Sequence, residues 1–365
     1  MHIDKIKNAA KVKNIFYSAT AMILGALLCA ALSVVFSKPH SADFAGFFTG
    51  VFSSRFYVGS FLNTAFLLAT AALGVSAALL NGEYNLGGEG QIYAGGFISA
   101  VVCASLKSVN PILALCIAFL SAATLSAAMM LFSAALRYYK GASILLTSFL
   151  ISSAAIPVIN SLIAGTFRDG GNLLATQYVP ENMRIPHILP PSLLSSAAFA
   201  SPVLCIAAWF IVYRTSAGRK LCINGISKEF GRYCGYPQTK MLFISTAVSG
   251  ALHGVTGFFA VVGSYYTCHS GFHSGMGWNA LTVSLAASSN PAYIIPSALI
   301  LSWIFTGAEK TALLGNFSFN FTALVQGILL LCLSVKEFRL KISPVFKRLK
   351  SAYKKNMHGK RGGIS

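Results

Sequence analysis

Few side chains in this 365-residue chain can do chemistry. Two of its nine acidic residues, Glu83 and Glu89, fall in one Gly-rich stretch, Asn81–Gln91, with no basic residue to neutralise them. A second Gly-rich stretch, Gly263–Trp278, holds His269 and His273, and Asn279 follows it. Carboxylates, amides and imidazoles in such breaks can hydrogen-bond a polar ligand or a neighbouring helix. Bond-breaking chemistry has no footing: there are no paired carboxylates within an apolar run, no Ser-His-Asp set and no HExxH motif. His269 and His273 are four apart, but Gly271 between them spoils a shared helix face, so no metal site is expected. The eight cysteines form no CxxC pair and sit mostly in apolar runs, as Cys29 and Cys116 do, where they act as small buried residues.

The elements that must position these groups are set by composition. The chain is 55% hydrophobic and 10% charged, with a mean hydropathy of +0.67. Soluble domains carry about 25% charged residues, so this chain lacks the polar surface to face water all round. Apolar runs near the ~20 residues that cross a bilayer occur at Ile15–Phe36, Val58–Leu80, Gln91–Leu106, Pro111–Leu136, Ala142–Ile163, Leu193–Tyr213, Met241–Val262, Pro291–Thr306 and Phe317–Val335. A shorter piece lies at Trp278–Ser289. The expected fold is therefore an all-α polytopic membrane protein of about ten transmembrane helices, some of them broken. The first run exceeds a signal-peptide core and is expected to stay as an anchor.

Net charge is +19, from 28 Lys and Arg against 9 Asp and Glu. With ten crossings, 22 of the basic residues lie on one side and 6 on the other, which places both termini in the cytoplasm. The organisation follows: a cytoplasmic tail at 1–14, a membrane domain at 15–335 with a cytoplasmic loop at 214–240, and a basic tail at 336–365 that suits an anionic membrane surface better than nucleic acid.

Non-helical backbone at membrane depth must be buried in protein or line a cavity. Both Gly-rich breaks have the order long span, break, helix, as paired breaks around a transport site do. Asn81–Gln91 can also be a surface turn whose Glu89 and Gln91 steady the next helix through its dipole. Candidate groups along a substrate path are Asn63, Glu89, Gln91, Tyr93, Asn160, Trp278 and Asn279, and each serves equally well as a hydrogen bond between helices. The loop Gly165–Pro191 can dock an extracytoplasmic partner or simply connect two spans. In the loop 214–240, Ser227–Tyr233 predicts a short amphipathic helix ending at Gly235, with Pro237 beyond it.

Several ordered motifs resemble one family. Tyr84-Asn85-Leu86-Gly87-Gly88-Glu89-Gly90-Gln91 resembles the F-N-I-G-x-E-G-Q motif of ATP-binding-cassette (ABC) permeases of the simple-sugar and nucleoside branch, which also serves riboflavin. The family's cytoplasmic loop motif is matched at Arg214, Thr215, Gly218, Leu221, Gly225, Arg232, Tyr233 and Gly235. Ser249–Gly257 is similar to its S-G-A-L-A-G-L-A-G, and Gly277–Leu285 to its G-F-D-G-I-A-V-A-L with Asn279 in place of the acidic residue. Gly141–Asn160 is similar more loosely, Ala142-Ser143-Ile144 standing where the family has N-E-V.

The resemblance implies a vitamin-importer-like (type II) fold in a bacterial cytoplasmic (inner) membrane. It implies a second permease subunit, identical or homologous, a cytoplasmic ATP-binding subunit, and an extracytoplasmic substrate-binding protein or lipoprotein. The loop would supply the coupling helix, Asn224–Gly235, with Gly218, Asn224, Gly225, Glu229, Arg232, Tyr233 and Gly235 as the ATPase-coupling residues. The chain has no GxxxxGK[ST] phosphate loop, so it is not expected to be an enzyme. No cofactor is expected on this chain, and ATP with Mg belongs to the partner. The expected cargo is a small neutral polar or aromatic solute, a purine nucleoside or sugar first and riboflavin as the rival. The competing class is a secondary transporter driven by an ion gradient.

Overall fold

The computed structural model describes residues 20–32, 44–171, 173–315 and 320–334. The expected tails at 1–14 and 336–365 lie outside the described residues, as do the edges of the first and last expected spans. The described chain is nearly all helix, its only β features being isolated bridges. In order come α1 (Thr20–Leu32), α2 (Phe44–Thr49), α3 (Arg55–Leu79), α4 (Gly88–Ser105), α5 (Pro111–Lys140), α6 (Ile144–Ala164), α7 (Ala200–Arg214), α8 (Ser216–Ile226), α9 (Lys228–Tyr233), α10 (Gln238–Phe258), α11 (Met276–Ala286), α12 (Pro291–Gly315) and α13 (Phe321–Ser334). Helix is found at each of the ten expected spans. Six helical stretches are long and apolar enough to cross a membrane: α3, α5, α6, α10 with its extension, α12, and α7 with the turn before it.

Local chemistry sets the ends. Asn110 accepts a hydrogen bond from the Ile112 amide, with Pro111 opening α5, and Gly141 closes that helix in the left-handed conformation at φ +69°. The expected span from Leu193 begins later as a regular helix: Leu194 O accepts from Ile188 N and Ser195 bridges to His187, so α7 proper starts at Ala200 after a 3₁₀ turn at Ser196–Phe199. Beyond Phe258, α10 widens into a π-helical turn, Phe259–Tyr265.

At the centre α10 packs against α3, α4 and α5. There α4 and α10 approach through glycines: a Cβ on Gly95 would stand 2.6 Å from the Cα and O of Gly254, and one on Gly254 would run into Ala122 O of α5. Such backbone contact is how helices associate where burying apolar surface brings little gain. The loops at 166–199 and 262–270 are tied together, Thr176 N donating to Cys268 O at 3.0 Å and Val179 N to Tyr266 O at 2.8 Å. Arg184 lies over the ring of Tyr266, against which His187 also stacks.

Candidate functional site: two opposed helix starts and a short helix on the loop 214–240

The first Gly-rich break folds as a turn between α3 and α4. After α3 ends, Asn85 Oδ1 accepts from Gly87 N (2.8 Å), an Asx turn that reverses the chain. Amides of the break that no helix satisfies are taken by α6: Leu86 N donates to Ser148 Oγ (3.1 Å) and Gly90 N to Ser152 Oγ (2.7 Å). Asn85 Nδ2 donates to Gln91 Oε1 and to Ser249 Oγ, both at 2.9 Å. His253, fully buried, places Nδ1 2.7 Å from Gln91 Oε1 and 3.3 Å from Asn85 Nδ2, and Nε2 3.1 Å from Ala71 O. The buried side chains of Asn85, Gln91 and His253 thus lie in one polar cluster, as a low-dielectric interior favours.

The second break meets the first. Loop 266–275 folds back into the bundle, and α11 starts against the start of α4: a Cβ on Gly88 would be 3.0 Å from Gly277 Cα. Glu89 Oε1 accepts from the amides of Gly277 (2.8 Å) and Trp278 (3.3 Å), so a residue of α4 caps α11. The site draws its order from helix ends, where unpaired amides gather and a carboxylate is favoured. The other carboxylate oxygen lies 3.7 Å from His273 Nε2. His273 rests against Tyr93, ring centroids 4.5 Å apart, and Tyr93 Oη donates to Asn160 Oδ1 (2.6 Å), which Ser270 Oγ also reaches. His273 Nδ1 and Asn279 Oδ1 are buried without a hydrogen-bond partner.

Of the seven expected path residues, Glu89, Tyr93, Asn160, Trp278 and Asn279 therefore gather round one junction. Gln91 is spent in the Asn85–His253 network. Asn63 sits apart, accepting from Ser264 Oγ (3.0 Å). One side of the junction is open: Trp278 is half-buried against exposed Phe149 of α6, and Leu146, Leu150, Ser153, Pro157 and Ser161 continue that exposed face of α6. Among the described residues no three His, Cys, Asp or Glu side chains gather as a metal site needs.

The loop 214–240 folds as two helices. Thr215 caps α8 by accepting from Gly218 N (3.1 Å), and Ser227 caps α9 by accepting from Phe230 N (3.2 Å). Gly235 follows α9 at φ +71°. The expected short helix is there, and the residues singled out on this loop divide into two groups. Gly218 and Asn224 are buried, and a Cβ on Gly225 would run into Leu80 O. Asn224 Nδ2 donates to Asn81 Oδ1 (2.8 Å), and Asn81 Nδ2 to Ser245 Oγ (3.1 Å). Glu229, Arg232 and Tyr233 instead stand exposed on α9, Tyr233 at 91%. Two groups escaped the motif reading: Lys228 forms an ion pair with Glu83, and Asn81 completes the joint.

The model of the family described as "Branched-chain amino acid transport system / permease component" matches residues 57–334. The chain belongs to this permease family. Relatives of the permease include the "Probable riboflavin import permease protein RfuC" of Treponema pallidum, 34% identical over 330 residues, covering 89% of this chain and 86% of that protein. The guanosine ABC transporter permease protein NupP of Bacillus subtilis is 21% identical, covering 82% and 86%. Among solved structures, the one titled "An inward-facing conformation of a putative metal-chelate type ABC transporter" aligns at 13% identity with a TM-score of 0.45, covering 90% of this chain and 99% of that one.

Proposed function

We propose that this permease is the membrane-embedded subunit of an ABC importer for a flavin or a purine nucleoside, with riboflavin the leading cargo. The observation that carries the choice is the 34% identity to the riboflavin permease over 89% of the chain, against 21% for the guanosine permease. This moves riboflavin ahead of nucleosides and sugars. A ring system with a hydroxylated chain suits the open side of the junction, where Phe149 and Trp278 offer aromatic faces and Asn160 and Ser270 offer polar ones.

In this proposal α8 and α9 face the cytoplasm and carry the contact with a separate ATP-binding subunit. Exposed Glu229, Arg232 and Tyr233 are the docking groups. Buried Asn224, Gly225 and Gly218, with the Lys228–Glu83 pair, pass the displacement inward. A substrate-binding protein or lipoprotein delivers cargo at the opposite face, and a second permease subunit closes the path along α6. Both termini are cytoplasmic, and ATP with Mg is bound by the partner. The junction then shifts between outward-open and inward-open arrangements by tilting α11 against α4.

The test is uptake of radiolabelled riboflavin, guanosine and glucose by proteoliposomes holding the permease with its ATP-binding subunit and substrate-binding protein. ATP-dependent uptake of riboflavin, competed weakly by guanosine, is expected. Uptake driven by an ion gradient without ATP would overturn the ABC assignment, and preference for guanosine or glucose would overturn the cargo.

A further inference from the structure

A cavity of about 470 Å³ lies between α3, α7, α8 and α10, and none of the residues gathered at the Glu89 junction lines it. That is within the size range of small-molecule sites. Its wall is mostly apolar, with buried Leu73 and Val212 and half-buried Met241 and Leu252, and Ser76, Ser216 and Ser245 as its hydroxyls. Ile211, Ile244 and Val248 line it and are also exposed, so it opens sideways on the exposed apolar surface of α7 and α10. The end beside α8 differs: exposed Lys220 and Lys240 line it, and no Asp or Glu does. The cavity thus has a hydrocarbon interior, a lateral mouth and two cations at one end.

We propose that it holds one anionic glycerophospholipid from the leaflet next to α8. An acyl chain lies between α3, α7 and α10, and the headgroup phosphate is bound by Lys220 and Lys240. Charge complementarity selects this occupant. A hydroxyl-rich solute would lose its hydrogen bonds against such a wall, and the chain's two terminal sequences are basic and repelled by the same lysines. An anionic headgroup is attracted by each lysine while its acyl chain stays in an apolar medium. The lipid also bears on α8, which contributes Gly218, Lys220 and Leu221 to the wall and presses Asn224 and Gly225 on the loop that starts α4. The permease is therefore expected to keep this lipid through purification as a structural component.

The test is native mass spectrometry of the full-length permease, with its partner subunits, released from nanodiscs of equal parts palmitoyl-oleoyl phosphatidylglycerol and phosphatidylcholine. The expected result is one retained lipid, with phosphatidylglycerol preferred by about thirtyfold, the scale of two lysines near an anionic headgroup. The K220Q/K240Q variant should bring the two lipids to parity, and Ile244→Trp should abolish retention of either. Equal retention of both lipids by the unaltered protein overturns the proposal without reference to any variant. Unchanged phosphatidylglycerol preference in K220Q/K240Q overturns it as well.

Discussion

Lys228 and Glu83, 145 residues apart in sequence, are joined by an ion pair that ties α9 to the loop leading into α4. Glu83 is buried and Lys228 is 45% exposed on its side chain, so water screens the pair from one side only. Beside it the Asn224–Asn81 bond and the Gly225–Leu80 contact make the same junction. A push on α9 therefore reaches the segment whose far end is Glu89.

Reversing either charge, E83K or K228E, is expected to depress ATP-driven uptake, and the double reversal to restore a good part of it. A coupling of about 1 kcal/mol, some fivefold in rate, fits a half-screened pair. Uptake by reconstituted vesicles measures it. Losses that simply multiply in the double variant would show that the contact transmits nothing.

Glu89 is expected to matter first as an acceptor. Glu89→Ala leaves the Gly277 and Trp278 amides without a partner and should lower stability by about 1–3 kcal/mol. Glu89→Gln keeps an acceptor oxygen there and should cost less. Thermal melting in detergent compares the two, and equal losses would argue that the carboxamide cannot reach the amides.

The α4–α10 seam tolerates no side chain. Gly95→Ala and Gly254→Ala each force a Cβ onto backbone and should destabilise the protein by about 1–3 kcal/mol. Gly170→Ala, with nothing within 4 Å of the added carbon, is the control and should be neutral. Fluorescence-detected melting curves read the difference; a neutral Gly254→Ala would mean the seam is looser than described.

Cys234 follows α9 and is exposed. A membrane-impermeant maleimide is expected to label it in inverted vesicles and not in right-side-out ones, with Cys234→Ser removing the signal. Labelling from outside intact cells would reverse the orientation assigned to α8 and α9.

Helix positions were legible in the sequence because apolar length, glycine breaks and caps are local signals: α9 begins after Ser227 and is followed by Gly235, as its residues predict. The start of α7 was not, because Leu193 and Leu194 are as apolar as a span while their backbone is held by the His187 segment. Glu83 drew attention as an acid with no basic neighbour, yet its partner lies 145 residues away, beyond any spacing rule. His253 sits in an apolar run and was absorbed into a motif. Its cue was the cost of a polar ring at that depth, which requires a partner such as Gln91. Asn63 resembled the other path residues in type, but the fold sends it to Ser264.

The glycine seam has an electrical consequence. Where Gly95 meets Gly254, backbone touches backbone, and a single water, needing about 30 Å³ in the liquid, has nowhere to sit. A file of waters is what lets protons and small ions leak across a bilayer. With Gly95 and Gly254 in contact, no such file can thread between α4 and α10 at that point.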